Sequence, residues 1–307
     1  MAARPGPRAV ISLVLWIVIS YFFVVVLRQV DWRAVAAHRL DVPLALLVLA
    51  MGTGNRFFLP LVWTIALSSL EGKPMRTRVL LWPYAQSWMA RYVPGKVAFI
   101  GTRVLAAERY GYSGVNAIIS GGVEVVLQVV FITSLSVAFL SLGLRAQLPF
   151  NVAPVLLIAA GLAALISPPI LRRIVDLYLR VQKRVDASMS YLSWTAVFRC
   201  VLVLAAMYVV QSIYSIELAE ALGIAVRAQW LTFLGAIFLS SIAGMVAFFS
   251  PGGLGVRELV FVQVLQPWFA KDELVSFVIF WRLAETLMDV LFVVAARLVA
   301  RTKKYEL

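Results

Sequence analysis

The stretch "AFFSPGGLGVRE" (247–258) decides how this chain folds. The apolar run "WLTFLGAIFLSSIAGMVAFF" (230–249) leads into it, and "LVFVQVLQPWF" (259–269) follows. Between them Pro251, Gly252, Gly253 and Gly255 free the backbone, and Arg257 and Glu258 stand just past the break. In the core of a bilayer, broken backbone is tolerated only where protein or trapped water satisfies its amides. The stretch therefore reads as the break between two half-length helices, with its charges lining a polar cavity.

The same design occurs earlier in the chain. "ARYVPGKVAFIGTR" (90–103) also sets a Pro-Gly, Pro94 and Gly95, between two half-length apolar segments, with a Gly-x-Arg ending at Arg103 soon after. Each break is followed by a full span that carries an acid. "GGVEVVLQVVF" (121–131) holds Glu124, with Gln128 one turn later and Gly121 one turn before. "RLAETLMDVLF" (282–292) holds Glu285, with Asp289 one turn later and Arg282 one turn before. Residues at i−3, i and i+4 share a helix face, so the two spans present one face design. Such a pairing is expected of an inverted repeat, in which broken helices meet near the membrane midplane.

Composition supports the membrane reading. Hydrophobic residues make up 62% of the 307 and charged residues only 14%, whereas a soluble domain carries about 25% charged residues. The apolar residues fall in runs near the ~20 residues a helix needs to cross a bilayer. A net charge of +13 would suggest nucleic acid as a partner of a soluble protein. Here the basic residues sit in short loops, where they set topology and meet anionic lipid, so no nucleic acid is expected. The lone Cys200 lies in an apolar run and His38, the one histidine, lies in a loop. Neither a disulfide nor a metal site is expected from them.

The spans read as about 9–27, 42–70 (interrupted by "GTGNR"), 115–142, 150–170, 195–221 and 274–296. The first follows a basic start, lacks a small-residue cleavage pattern, and reads as a retained transmembrane helix. Segment 171–194 has Ile174, Leu177, Tyr178, Val181, Val185, Met189 and Leu192 on one face and arginines and lysine largely on the other. It suits an amphipathic helix in the inner headgroup layer or a solvated cytoplasmic helical hairpin. Lysine and arginine are richest at the N-terminus, in loop 71–78, in 171–194 and in the C-terminal tail, which places all four inside. The count closes only if 79–110 and 229–268 each enter and leave on the same side. The expected fold is thus a single all-α polytopic membrane domain over 1–307, with about six transmembrane helices. Two oppositely oriented re-entrant hairpins complete it, within hairpin-plus-helix repeats at 79–142 and 229–296.

The candidate site residues follow from this arrangement. Arg103, Glu124, Arg282 and Glu285 form the embedded set, because ionisable residues inside a membrane are costly. Asp289 shares the face of Glu285. Arg257 and Glu258 line the cavity, or pair with each other, or lie near the outer surface. Arg56, after "GTGN", joins the site or snorkels toward an interface. Arg91 and Lys96 flank the first Pro-Gly and reach a headgroup phosphate, or the water at the hairpin mouth.

"YVPGKVAFIGTRVLAAERYGYS" (92–113), the Glu124 helix after it and "SPGGLGVRE" (250–258) resemble the lysylphosphatidylglycerol synthase transmembrane-domain family, also called flippase-like domain proteins. The resemblance runs through nearly the whole chain, with PGGLGVRE its most specific element. It carries over Pro94, Gly95 and Lys96, and Pro251, Gly252, Gly253, Gly255 and Glu258. It implies a membrane domain that moves aminoacylated phospholipid, or another lipid-phosphate or polyprenyl-linked carrier, between leaflets. The bifunctional synthases append a soluble catalytic domain, whereas this chain stops at Leu307, so the resemblance implies the flippase-like part without aminoacyl transfer.

The expected function is a flippase of a prokaryotic plasma (cell inner) membrane, with both termini cytoplasmic. It is not an enzyme and uses no cofactor. Its substrate is an anionic or phosphate-bearing lipid, with bilayer lipids around it. A homodimer or a partner membrane enzyme fits the same reading. No G-x-x-x-x-G-K-[ST] nucleotide loop is present, so a gradient, the membrane potential or downhill lipid flow would drive transport. Two rival readings stand beside it: an integral membrane transferase acting on a lipid phosphate, and a non-transporting partner protein.

Overall fold

The computed structural model describes residues 41–90, 97–144, 167–170, 172–173, 177, 192–247 and 255–301. The expected span 9–27, nearly all of the span 150–170, most of segment 171–194 and both chain ends lie outside the described residues. So do Arg91, Pro94, Gly95 and Lys96 of the first break and Pro251, Gly252 and Gly253 of the second.

The described chain is helical, with no strand among the described residues. We number the helices α1 (Val42–Asn55), α2 (Phe58–Glu71), α3 (Thr77–Met89), α4 (Val97–Arg109), α5 (Gly114–Leu144), α6 (Trp194–Ala221), α7 (Trp230–Val246), α8 (Val256–Leu265) and α9 (Lys271–Arg301). Local chemistry sets their ends. The Asp41 carboxylate accepts from the Leu44 amide and opens α1, and the Ser193 hydroxyl accepts from the Ala196 amide and opens α6. Such caps satisfy amides that have no partner within the helix. The short turn at Arg56 and Phe57 separates α1 from α2 inside one long apolar segment.

Four helices are long and apolar enough to cross a membrane: Val42–Glu71, Gly114–Leu144, Trp194–Ala221 and Arg227–Val246. The first three correspond to expected spans. The fourth is the first arm of the expected second hairpin, lengthened by the short 3-10 turn Arg227–Gln229. Helix α9 has 31 residues, but the charges of the expected last span lie within it. Helices α3 and α4 have 13 residues each and α8 has 10. At 1.5 Å per residue these are about 15–20 Å long, short of the ~30 Å hydrocarbon core.

Two groups of three helices make the same set of contacts. In the first, α3 packs on α4 and α4 on α5; in the second, α7 packs on α8 and α8 on α9. Across the groups, α5 packs on α7 and α9 on α3. The α5–α7 crossing is close because it is built on small residues. A Cβ on Gly235 would lie 2.7 Å from Leu140 Cγ, and the Ser136 hydroxyl donates to the Gly235 carbonyl at 3.0 Å. Small residues that let backbones approach are the usual means by which membrane helices associate. The α3–α9 crossing is different in kind: Trp88 Nε1 donates to Asp289 at 3.0 Å, and the Arg297 guanidinium lies 5.8 Å from the Trp82 ring.

Helices α1 and α2 pack on α6 at the flank of this arrangement. Much of the remaining surface is apolar, with Leu46, Phe198, Leu202, Val209 and Leu298 all more than half exposed. That surface suits lipid rather than water. Hydroxyls inside the helices donate to carbonyls one turn back, as Thr64 does to Pro60 and Ser215 to Gln211. This satisfies polar side chains without water.

Candidate functional site

Among the described residues, three ion-pair clusters lie in the interior, and each groups residues from different helices. The first joins α3, α4 and α5. Arg103 Nη1 meets Glu124 Oε2 at 2.6 Å, and Arg103 Nη2 reaches the other carboxylate oxygen at 3.4 Å. Tyr84 Oη donates to Glu124 at 2.6 Å and Gln128 Nε2 donates to it at 3.1 Å. Arg103 Nε donates to the Ser87 hydroxyl at 3.1 Å. Its guanidinium carbon also lies 4.4 Å from the Tyr84 ring and 5.2 Å from the Trp63 ring. Both partners are fully enclosed, with side chains 2% and 1% exposed. An arginine held by a carboxylate, a hydroxyl and two aromatic faces has little freedom to move.

The second cluster repeats that plan in α7, α8 and α9. Arg257 Nη1 meets Glu285 Oε2 at 3.1 Å and Nη2 reaches Oε1 at 3.4 Å, while Nη2 also donates to the Ser241 hydroxyl at 3.3 Å. Serine and arginine are 16 residues apart in both clusters. Each serine donates its own proton to a carbonyl one turn back, Ser87 to Tyr84 and Ser241 to Ile237. That leaves its lone pairs for the guanidinium.

The second cluster also carries charges the first lacks. Arg282 pairs with Glu258 and stands 3.8 Å from Glu285 Oε2. A pocket of about 280 Å³, its open mouth included, is lined by Arg257, Glu258 and Arg282, with Phe261, Phe277 and Trp281 among its apolar walls. These ionic side chains are 12–24% exposed, against 1–2% in the first cluster.

Arg257 and Glu258 therefore do not pair with each other. Successive residues of a helix point about 100° apart, so neighbours in sequence do not face one another. Arg257 reaches Glu285, and Glu258 reaches Arg282 one turn away on α9. Gly255 makes this possible. Its φ of 81° turns the chain into α8 in a conformation that disfavours any other residue, and it sets both charges in the first turn.

The third cluster joins α9 to α3 and to the α1–α2 turn. Arg56 Nε and Trp88 Nε1 both donate to Asp289 Oδ1, at 2.9 and 3.0 Å. Asp289 is wholly buried and Arg56 is nearly so, which rules out snorkelling for Arg56. Asp289 thus departs from the role of its counterpart. Gln128 supports Glu124 on its own helix, whereas Asp289 accepts from Arg56 at the α1–α2 turn and from Trp88 of α3.

The structure brings together Arg103 with Glu124, Arg257 with Glu285, Arg282 with Glu258, and Arg56 with Asp289. Arg91 and Lys96 lie outside the described residues. Tyr84, Ser87, Trp88 and Ser241 also belong to the clusters but carry no mark in the composition or hydropathy of the chain. The shared 16-residue spacing of serine to arginine is a signal for the two serines alone.

Comparison with individual curated proteins yields no match. The family model described as the lysylphosphatidylglycerol synthase TM region matches residues 9–292, which takes in all three clusters. On that match the chain belongs to the family of the lysylphosphatidylglycerol synthase transmembrane region.

Proposed function

We propose that the protein is a lipid flippase that carries a phosphate-bearing lipid between leaflets and does not alter it chemically. Family membership places its function in membrane lipid biology. The observation that carries the finer reading is the repeated serine–arginine–glutamate unit, made once by each hairpin with the helix that follows it. Buried ion pairs are a poor source of stability in a membrane, where each charge has to be desolvated. Two copies of such a unit, each with its arginine on a helix too short to cross, fit broken helices that meet at a transport site.

In this reading the groups α3–α4–α5 and α7–α8–α9 are the two halves of an inverted repeat, and each hairpin enters and leaves on one side. The termini face the cytoplasm of a prokaryotic cell, and the headgroup enters between the hairpins while the chains stay in lipid. Arginine suits a phosphate because its fork offers paired donors.

The test is reorientation in proteoliposomes. The protein is purified, its bound lipids are identified by mass spectrometry, and those lipids are reconstituted in labelled form. Movement of intact lipid by wild type, lost in Arg257→Ala, is the expected result. Chemical conversion of the lipid would instead indicate a transferase. Absence of both across anionic and polyprenyl-linked lipids would refute the transport reading.

A further inference from the structure

The two ion-pair units share a plan but differ at two equivalent positions. One turn before the acid, the first unit has Gly121 and the second has Arg282. Immediately after the hairpin arginine, the first has Val104 and the second has Glu258. The first unit is closed, with its ion pair 2% and 1% exposed. A Cβ on Gly121 would touch Arg103 Nη1 at 3.4 Å, so the guanidinium lies directly beside the position that Arg282 holds in the second unit. Glu124 is saturated by Tyr84, Gln128 and Arg103. No room is left there for a ligand.

In the second unit two guanidiniums converge on one carboxylate. Arg257 and Arg282 both approach Glu285 Oε2, at 3.1 and 3.8 Å. Two forked donors around an oxyanion form the geometry that also binds phosphate. Here that geometry opens on a pocket with both arginines in its lining. Glu258 holds Arg282 from the far side and keeps one oxygen buried without a hydrogen-bond partner among the described residues. Ser240, Phe277 and Trp281 supply part of the wall.

We propose that Glu285 is an internal anion that occupies the phosphate site between Arg257 and Arg282, so that a phosphate group binds by displacing it. The Arg103–Glu124 unit is then a fixed strut and takes no phosphate. This rests on the lipid-transport reading and narrows it to one half of the molecule. It also assigns Glu285 the role of a competitor rather than a contact of the substrate.

The experiment measures equilibrium binding to the purified full chain in phosphate-free detergent, with phosphatidylglycerol and inorganic phosphate as separate probes. Glu285→Gln removes the competing charge while keeping the side chain's size. It should tighten binding about tenfold or more, the scale of one charge-assisted interaction. Glu285→Asp pulls the carboxylate back and should give a smaller gain in the same direction, which provides a second reading where Gln impairs folding. Arg282→Gln should abolish binding, and Glu124→Gln, which removes a strut and not a competitor, should bring no gain in affinity. A gain with phosphatidylglycerol alone identifies a lipid headgroup as the source of the phosphate, and a gain with both probes identifies phosphate from either source. No gain with either probe, or an equal gain from Glu124→Gln, overturns the proposal. Binding is read here without transport. Lipid reorientation with no effect of Glu285→Gln on affinity would remove this inference alone. Displacement without reorientation would remove the transport reading alone.

Discussion

Glu124→Gln should destabilise the protein far more than Glu285→Gln, although the two acids hold equivalent places. Glu124 Oε2 accepts from Arg103 at 2.6 Å, and Oε1 accepts from Tyr84 at 2.6 Å and Gln128 at 3.1 Å. A carboxamide has one acceptor oxygen, so either orientation sets its amino group against a donor. The guanidinium, 2% exposed, then has no counter-ion and no water to replace it. Removing one partner of a buried pair costs about 3–5 kcal/mol. Glu285 and Arg257 are 13% and 17% exposed beside a pocket, so solvent screens the charge left behind. The loss there should be about 1–3 kcal/mol, the range for a hydrogen bond to a charged group. The chain supplies its own reporter, because Cys200 is its one cysteine and is buried. A thiol-reactive dye that fluoresces as Cys200 becomes exposed gives the melting temperature in detergent. At roughly 2–4 °C per kcal/mol, Glu124→Gln should melt on the order of 10 °C below wild type, with Glu285→Gln much closer to it. Arg103→Leu combined with Glu124→Leu should recover much of the loss, since apolar replacement of a whole buried pair is often neutral. Equal shifts for the two glutamines, or a double variant worse than Glu124→Gln, would refute the strut.

Gly255→Ala puts a side chain at φ 81°, which should cost about 1–2 kcal/mol. Because the turn aims Arg257 and Glu258, transport should fall more than the melting temperature suggests, and unchanged transport would count against that role. Gly235→Val sets new atoms against Leu140 and should cost about 1–3 kcal/mol by overpacking. A melt like wild type would show that the α5–α7 crossing yields. In a Cys200→Ala background, single cysteines at 111–114 should react with impermeant reagent from the cytoplasmic side, and those at 269–273 from outside. The reverse pattern, or both on one side, would overturn the inverted repeat.

The sequence by itself determined what depends on local pattern. Apolar runs, charge content and cap residues specify membrane helices, because hydropathy and amide satisfaction are settled within a few turns. Gly-x-Arg after each break, and the acid in the helix that follows, are visible for the same reason. Partner choice was decided only in three dimensions. Arg56 and Asp289 are 233 residues apart, and Trp88 and Asp289 are 201 apart. Nothing local makes either of them preferred. Arg257 and Glu258 are adjacent, and their sequence leaves cavity lining, a mutual pair and surface charges all open; helix geometry sends them to different partners on α9. The difference between the two units is also tertiary. Gly121 and Arg282 can be read off the sequence, but their consequence depends on packing around them. Beside Gly121 the first pair closes to near-complete burial, and beside Arg282 the second stays open to a pocket. A side chain's volume is written in the sequence; whether its absence is filled by a neighbour or left as space is decided by the helices that pack around it.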